Sequence, residues 1–397
     1  MDVIRSLVDH CIPSRTVTIG PRDPDFVTPH VKSLLIKRYR LRRRGRIDEA
    51  DAVAEKINEL IVAHRSKRLE KLSEASTKEL WASVNSRYIK NDTVKINGII
   101  ANPDELNSYF AGVSTDPSYN LENILKFRMP LKYSDRRIIY GYQIEPLLRG
   151  MKNTAPGFDN LPSWLFKKCS VELADVIAEL FNISFASGKV YSNWLTAIVT
   201  PVAKISSPLA MNDFRPISVT PILSRLAEKL VVRNWLFPSI PSDCIMDQFA
   251  FRRTGSTTAA LVSLMHHVTR MLETNNYVRC LTIDFSKAFD VVNHEVLLQK
   301  VSLLDLPDNI HNWLVSFLTG RLQICKVNGD YSSCSGITRG IIQGSGVGPT
   351  FYIIMKSDLK TVSDYNVMCK YADDIYVLVP ECHKCAVVTA RVRFSLS

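Results

Sequence analysis

Three aspartates stand at the ends of short apolar segments, where their side chains could bind metal ions. Asp284 ends the apolar segment CLTI, and Asp373 and Asp374 form an acidic turn within VMCKYADDIYVLV. If these segments are neighbouring strands, the three carboxylates converge at one edge of a sheet and repel one another. Mg²⁺ prefers such hard oxygen ligands and keeps positions for water and substrate phosphates. Two Mg²⁺ ions about 4 Å apart can activate a 3′-hydroxyl and neutralise a pyrophosphate, which nucleotidyl transfer requires.

Each of these features, taken alone, has an ordinary structural explanation. An Asp-Asp pair in a hairpin is most often turn chemistry. An aspartate between a strand and a helix is most often a helix cap. Phe289, which follows Asp284 in the same segment, is by itself most simply a core aromatic. The catalytic interpretation therefore depends on the elements that surround these residues.

The surrounding sequence predicts helices and strands that are intermixed without a strict βαβ repeat, which favours an α+β fold. Residues 279–301, RCLTIDFSKAFDVVNHEVLLQKV, are typical of a strand, a tight connection and a helix. Asn328-Gly329 between two strand-like segments is a strong hairpin signal, and residues 367–379 predict a second hairpin around the acidic turn. Helices are predicted at 163–186, 222–235 and 257–273.

The composition excludes several classes of protein. With 46% apolar and 22% charged residues in 397, the chain is typical of a globular protein of two or three domains and not of a disordered one. It contains no run of about 18 apolar residues that would span a membrane, and its first residues lack the apolar core of a signal peptide. Nine thinly spread cysteines indicate reduced thiols. We therefore expect an intracellular protein, in the nucleus or the cytoplasm, that contacts no membrane.

The net charge of +11 is concentrated near the beginning of the chain. Between Val31 and Leu72 there are 13 Lys and Arg against 6 Asp and Glu. Gly45 is expected to end a basic helix, and Asp48 to cap a second, amphipathic one. Nucleic acid is the expected partner of such a segment, and a solvated helix face is the alternative. The candidate phosphate contacts are Lys37, Arg38, Arg42, Arg43 and Arg44.

An ordered series of segments resembles the reverse transcriptases of non-LTR, LINE-type retrotransposons. YADD at 371–374 resembles their catalytic hairpin, and DFSKAFDVVNH at 284–294 resembles their first metal-binding motif. QGSGVGP at 343–349 lies between these two motifs, as in that family. Three segments upstream resemble the family's finger motifs in their order: APGFDNLP, FRPISVTPILSRLAEKL and DQFAFRRTGSTTAAL. The resemblance covers roughly residues 150–380, which is more than half of the chain.

The resemblance implies a domain organisation. It implies an α+β palm and fingers with an antiparallel palm sheet, preceded by a helical basic N-terminal region. Residues 1–90 would be the basic helical linker, 91–195 an extension leading into the fingers, and 196–397 the fingers and palm. The family's thumb and endonuclease are not recognised in this sequence. We therefore expect the chain to be a piece of a longer polyprotein, truncated after YADD, and we expect that polyprotein to supply the thumb and the endonuclease.

The resemblance also assigns a role to individual residues around the reaction. Asp284 and Asp373 would hold both metal ions, and Asp374 would complete the acidic cluster. Phe289 would be a steric gate, because an aromatic ring beneath the sugar clashes with a 2′-hydroxyl. The ions would be Mg²⁺, which Mn²⁺ can replace.

Further residues would bind the substrates. Gln343 and Gly344 would lie near the incoming base and the template, since a glycine permits a close backbone approach. Arg215 would clamp the triphosphate, because a guanidinium matches phosphate geometry, and Lys204 would be a second phosphate contact. The template backbone would be touched by Arg252 and Arg253, for which solvated surface charge is the alternative.

The implied function is that of an RNA-directed DNA polymerase whose partners are an RNA template, a DNA primer and dNTPs. One alternative is an RNA-directed RNA polymerase, which Phe289 disfavours because an aromatic gate rejects ribonucleotides. A second alternative is a catalytically inactive, nucleic-acid-binding remnant whose affinity resides in residues 31–72.

Overall fold

The computed structural model describes residues 26–73, 94–131, 138–252, 254–381 and 392–393. The chain divides into two compact units, Met1–Thr93 and Val94–Ser397. Arg253 and part of the expected linker region 1–90 lie outside the described residues. The domain boundaries expected near residues 90 and 195 stay predictions.

The described part of the first unit contains two helices, α1 (Pro29–Arg43) and α2 (Ile47–Ser73). The hydroxyl of Thr28 caps α1 by accepting a hydrogen bond from the Val31 amide at 3.2 Å. Gly45 separates the helices at a φ of +74°, as the sequence predicts. Asp48 lies in the first turn of α2 and is not its cap, which corrects that expectation. The buried apolar residues include Val31, Leu41, Ala50 and Ile57.

The second unit mixes helices and strands. Its described α-helices are α3 (Pro103–Val113), α4 (Leu121–Leu125), α5 (Gly141–Arg149), α6 (Ser163–Lys168), α7 (Ser170–Ala186), α8 (Ile222–Val231), α9 (Ser242–Ile245), α10 (Thr257–Leu272), α11 (His294–Val301), α12 (Asp308–Leu318) and α13 (Gly348–Met355). Its strands are β1 (Lys95–Ile96), β2 (Ile99–Ile100), β3 (Thr196–Ala203), β4 (Phe214–Val219), β5 (Val278–Ile283), β6 (Arg321–Val327), β7 (Asp330–Tyr331), β8 (Ser335–Ile337), β9 (Lys360–Thr361), β10 (Val367–Tyr371), β11 (Asp374–Pro380) and β12 (Val392–Arg393).

Two sheets dominate the second unit. One is fully antiparallel and has the strand order β10-β11-β5. The other has the order β4-β3-β6-β7, with β8 also paired to β6, and its β3–β6 pair is parallel. Two-stranded ladders join β1 to β2 and β9 to β12. The mixture of helices and sheets that the sequence predicts is confirmed.

Alternating apolar residues set the register of the antiparallel sheet. Ile375, Val377 and Val379 alternate along β11 and pack with Leu359 and Met368 in one buried cluster. A slip by one residue would turn this apolar row to the other face of the sheet, so the register is strongly specified. It places Ile283, at the end of β5, opposite Ile375, at the start of β11.

Aromatic packing between α7 and α12 supports the second sheet. The rings of Phe185 and Trp313 meet edge to face with centroids 5.8 Å apart, and Trp313 stacks on Phe317 at 5.6 Å. The indole of Trp313 donates a hydrogen bond to the Ser184 hydroxyl at 3.0 Å. Helix α12 leads directly into β6, so this aromatic cluster fixes the start of that strand.

Two sequence expectations need local corrections. The helix predicted at 163–186 is two helices, α6 and α7, which are separated at Cys169. The helix predicted at 222–235 continues past α8 as a π-helical turn, Val232–Leu236. Among the residues that the structure describes, every helix is too short or too polar to cross a lipid bilayer.

Candidate active site

The acidic hairpin turn is shorter than the sequence suggests. Strand β10 ends at Tyr371 and pairs there with Asp374, the first residue of β11. The turn therefore consists of Ala372 and Asp373 alone, and Ala372 adopts a φ of +54°. Tight hairpin turns commonly require such a positive φ. Asp374 is a strand residue and not part of the turn tip.

Asp284 and Asp373 line one cavity. Because Ile283 lies opposite Ile375, the chain leaves β5 at Asp284 beside the start of β11. Both Asp284 and Asp373 contribute to the lining of a cavity of about 930 Å³. Asp374 is exposed and is not among the described residues that line it. The sheet register thus brings together two carboxylates that are far apart along the chain.

The negative charges of all three aspartates affect the pKa of the Tyr352 phenol. Tyr352 lies on α13 and is 0% exposed. Burial raises the pKa of its phenol, and the negative charges of Asp373, Asp284 and Asp374 raise that pKa further. All three carboxylates therefore act electrostatically on the same buried phenol.

The carboxylates offer only part of a metal site. Within the described ranges, no group of three or more His, Cys, Asp or Glu side chains is arranged to hold a metal ion by itself. Asp284 and Asp373 nonetheless present hard oxygen donors to the cavity. Mg²⁺ is usually bound through one or two carboxylates, with water and substrate phosphates in its other positions. The pair thus fits an ion that arrives with a phosphate-bearing substrate.

Cationic side chains line the same cavity. Arg215 lies on β4 opposite Val202 of β3, and Lys204 follows the end of β3. The Lys204 ammonium donates a hydrogen bond to the carbonyl oxygen of Asn212 at 2.7 Å, which restrains it there. Lys204 and Arg215 both line the cavity that Asp284 lines. A cavity with acidic and cationic groups suits a ligand that combines phosphates with divalent cations.

Phe289 is held between two other aromatic rings. Its ring stacks on Tyr352 with centroids 4.5 Å apart and meets Phe251 edge to face at 6.3 Å. Phe289 also lines the cavity. Phe289 therefore packs against core aromatic rings, as its ordinary explanation states, and it also borders the space where a substrate could bind. Its role as a steric gate stays a prediction.

Gln343 and Gly344 are fixed by their neighbours. The side-chain amide of Gln343 donates to a carboxylate oxygen of Asp290 at 2.7 Å, and the backbone carbonyl oxygen of Gln343 accepts from the Ser218 amide at 2.8 Å. Gly344 has a φ of +112°, and a Cβ there would lie 2.5 Å from the carbonyl oxygen of Ser218. Position 344 therefore requires glycine because the backbone there passes too close to β4 for a side chain. Both residues line the cavity, and their contacts with base and template stay predictions.

The chain is similar in sequence to known RNA-directed DNA polymerases. Residues 202–394 match the family described as reverse transcriptase (RNA-dependent DNA polymerase). Over 272 residues the chain is 27% identical to the probable RNA-directed DNA polymerase from transposon BS of Drosophila melanogaster. Over 233 residues it is 30% identical to the RNA-directed DNA polymerase from mobile element jockey of the same species. Residues 202–394, just under half of the chain, are thus similar to reverse transcriptases, which confirms the resemblance that the sequence motifs indicate.

These matches cover much of this chain and a small part of the relatives. The matched segments are 65% and 56% of this chain, but only 29% and 25% of the transposon BS and jockey proteins. Among solved structures, apo telomerase from Candida tropicalis truncated from the C-terminal domain aligns with a TM-score of 0.36 and 14% identity. That alignment covers 52% of this chain and 49% of the telomerase chain.

A buried glutamate that the sequence analysis missed holds the loop at 343–349. Glu228, on α8, is 0% exposed. One carboxylate oxygen accepts from the Ser224 hydroxyl at 2.9 Å, and the other accepts from the amides of Gly346 at 2.6 Å and Val347 at 3.4 Å. Burial raises the pKa of Glu228, while the positive charge of Arg321 lowers it. The only sequence signal is the four-residue spacing of Ser224 and Glu228 on a helix that also carries Arg225 and Lys229.

A second missed residue, Gln248, holds the acidic turn. Its side-chain oxygen accepts from the amides of Ala250 at 2.9 Å and Ala372 at 3.1 Å. Beside it, the buried ammonium of Lys370 lies 3.0 Å from a carboxylate oxygen of Asp247. Burial lowers the pKa of Lys370, and the neighbouring Asp247 offsets only part of this lowering. The placement of Asp373 therefore depends on the segment before α10.

The predicted nucleic-acid contacts have different surroundings. The Arg252 guanidinium donates to the carbonyl oxygen of Ile245 at 2.9 Å and lies over the Phe249 ring, so its own segment partly occupies it. Arg42 on α1 pairs with Asp51 at 3.3 Å. The exposed members of the set on and after α1 are Lys37, Arg42, Arg43 and Arg44, whereas Arg38 is half-buried. Their binding to nucleic acid stays a prediction.

Proposed function

We propose that residues 202–394 form a reverse transcriptase domain, which catalyses RNA-directed DNA synthesis by adding dNTPs to a primer 3′-hydroxyl opposite an RNA template. The observation that supports this most is the single cavity lined by Asp284 and Asp373 together with Lys204 and Arg215. Carboxylates suit divalent cations, and a guanidinium and an ammonium suit the phosphates that such cations accompany. The names of the matched relatives, which are RNA-directed DNA polymerases, agree with this chemistry.

The acidic residues would serve the reaction centre. In the proposed mechanism Asp284 and Asp373 hold two Mg²⁺ ions, which Mn²⁺ can replace, and Asp374 completes the cluster. The chemistry that the bound ions supply is activation of the 3′-hydroxyl and neutralisation of the pyrophosphate leaving group. Gln248 contributes indirectly, because its hydrogen bond to the Ala372 amide fixes the turn that carries Asp373.

The remaining cavity residues would bind and select the nucleotide. Arg215 binds the triphosphate with a planar guanidinium that can donate two parallel hydrogen bonds, and Lys204 adds a second charge. Phe289 excludes a 2′-hydroxyl, and its ring cannot yield easily because Tyr352 stacks on it. Gln343 borders the base with an amide that its hydrogen bond to Asp290 keeps in one orientation.

Nucleic acid would bind outside the cavity. Arg252 and Arg253 are proposed to contact the template backbone, and the basic residues at the end of α1 to contact phosphates of RNA or DNA. A thumb and an endonuclease supplied by a longer polyprotein, and a nuclear or cytoplasmic location, belong to the same proposal.

Primer extension by the purified full chain tests this function. An RNA template with an annealed DNA primer is incubated with MgCl₂ or MnCl₂ and with either dNTPs or NTPs. We expect extension with dNTPs only, and its loss in Asp373→Asn with RNA affinity unchanged, because that change removes a proposed metal ligand and leaves the basic residues intact. Asp364→Asn, an exposed aspartate in the turn before β10, is the matched control and should extend normally. Incorporation of NTPs without a preference for dNTPs would contradict the assignment.

A second candidate function is nucleic-acid binding without catalysis. The exposed basic residues on and after α1 favour it, since phosphate contacts alone give salt-dependent binding. RNA binding that weakens steeply with salt, in a chain that extends no primer under either metal, would favour this candidate over the polymerase.

A further inference from the structure

Lys287 adopts a backbone conformation that lysine seldom adopts. It lies in the turn that follows Asp284, has a φ of +54°, and is exposed at the wall of the cavity. Glycine and asparagine adopt this left-handed conformation most readily, and other residues do so at a cost of about 1 kcal/mol or more. Backbone strain of this kind clusters at functional sites. The strained backbone therefore indicates that the ammonium of Lys287 has a function at the cavity.

Tyr109 of α3 holds that ammonium. The Lys287 ammonium donates a hydrogen bond to the Tyr109 hydroxyl at 3.1 Å and lies 5.0 Å from the centroid of its ring. An ammonium has three donors, so two remain for a ligand. Within the described residues no carboxylate lies within ion-pairing distance of Lys287, although burial raises the pKa of Asp290 in the same cavity and the charge of Lys287 offsets part of that rise.

A chain of hydrogen bonds connects Lys287 to Lys204. The Tyr109 hydroxyl donates to the side-chain oxygen of Asn212 at 3.3 Å, and the carbonyl oxygen of Asn212 accepts from the Lys204 ammonium at 2.7 Å. All four residues line the cavity that Asp284 and Asp373 line. Two ammonium groups are thus held on one rim before any ligand arrives, which lowers the entropy cost of binding an anion.

We propose that Lys287, positioned by Tyr109, binds the phosphate chain of a nucleoside triphosphate. This inference rests on the proposed function and extends the triphosphate site to a residue beside the first acidic motif and to helix α3. A cavity of about 930 Å³ lies within the size range of small-molecule sites, roughly 300–1,000 Å³, and this favours a nucleotide over a nucleic-acid backbone. Lys287 is the binding residue, and Tyr109 is a positioning residue.

The experiment uses the full chain and two readouts. The first is the KM for dNTP in primer extension, and the second is the affinity for Mg²⁺-tripolyphosphate measured by calorimetry without primer or template. Lys287→Ala should raise both the KM and the Kd about tenfold, the loss typical of one charge-assisted hydrogen bond, and should change kcat much less. Lys287→Arg should restore both values to within about threefold, because the charge returns.

Tyr109→Phe and a matched control pair separate positioning from general effects. Tyr109→Phe keeps the ring and removes the hydroxyl that accepts from Lys287, so it should raise both constants by a smaller factor, about threefold. Lys326 and Tyr331 form a similar pair outside the cavity, with the ammonium 4.9 Å from the ring centroid. Lys326→Ala and Tyr331→Phe should leave both constants unchanged.

The outcomes distinguish this inference from the proposed function. If the wild-type chain extends no primer but Lys287→Ala still weakens tripolyphosphate binding, the polymerase proposal fails and the phosphate site stands. If extension is normal and Lys287→Ala changes neither constant, or if the wild-type chain binds no tripolyphosphate, the inference is wrong. A loss of RNA affinity with unchanged tripolyphosphate binding would assign Lys287 to the nucleic-acid backbone and would also overturn it.

Discussion

Replacing Glu228 with alanine should destabilise the second unit by about 3–5 kcal/mol. Its carboxylate accepts hydrogen bonds from the Ser224 hydroxyl and from the amides of Gly346 and Val347. It also compensates the fully buried charge of Arg321. The expected loss comes from the donors that lose their acceptor, the Ser224 hydroxyl and the two loop amides, because an unsatisfied buried donor costs about 1–3 kcal/mol. Two of these hydrogen bonds are short and the third, from Val347, is long, so the combined loss is about 3–5 kcal/mol.

Urea unfolding of the full chain measures this effect. With a slope of about 3 kcal/mol per molar urea, a loss of 3–5 kcal/mol lowers the midpoint by about 1–1.7 M. Glu228→Gln keeps one acceptor oxygen and should lose less than the alanine variant. Glu105→Ala, an exposed glutamate in the first turn of α3, is the control and should lose only about 0.3–1 kcal/mol. A Glu228→Ala midpoint within the range of this control would refute the reasoning.

Two further predictions concern the same region. Gly344→Ala should lower the free energy of unfolding by more than about 1–3 kcal/mol and abolish primer extension, since the new Cβ would lie 2.5 Å from the Ser218 carbonyl oxygen at a φ of +112°. Gly112→Ala on α3, where a Cβ meets nothing within 4 Å, is the control. Equal losses of stability in the two variants would contradict the explanation by backbone strain. Burial lowers the pKa of His294 to about 4 from its usual 6.5. The unfolded chain therefore takes up a proton first as the pH falls, and up to about 3 kcal/mol of stability should be lost between roughly pH 6.5 and pH 4. Urea midpoints across this range should fall less in His294→Gln, and parallel profiles would show that His294 does not titrate in this way.

Local sequence patterns predicted the elements that carry the candidate site. The alternation in 367–379 and the apolar segment before Asp284 predicted the strands now seen as β10, β11 and β5. Asn328-Gly329 predicted a turn, and both residues adopt positive φ values there. Ser256, one of the two residues at which a cap is expected from the sequence, caps α10 by accepting a hydrogen bond from the Ala259 amide. These features depend on neighbouring residues along the chain, which is why one sequence is enough to predict them.

The supporting contacts were not predictable in the same way. Tyr109 lies in a segment whose mixed composition gave no indication of a role, yet it meets Lys287 at the cavity. Gln248 reaches the Ala372 amide, and Glu228 reaches the Gly346 amide, each across more than a hundred residues of chain. A side chain that bonds to a backbone amide leaves no pattern in the sequence around that amide, because every residue except proline carries the same donor.

The amino-acid sequence by itself determined which groups this protein has for chemistry: paired aspartates in a tight hairpin, a third aspartate after a strand, and a dense basic helix. Those features follow from residue type, apolar period and turn propensity, which act over a few residues. Only the tertiary structure decided that Asp373 faces the cavity while Asp374 does not, and that Lys204 and Lys287 share one rim through Tyr109 and Asn212. Such distances are set by strand register and by packing between distant segments, and these depend on the whole folded unit.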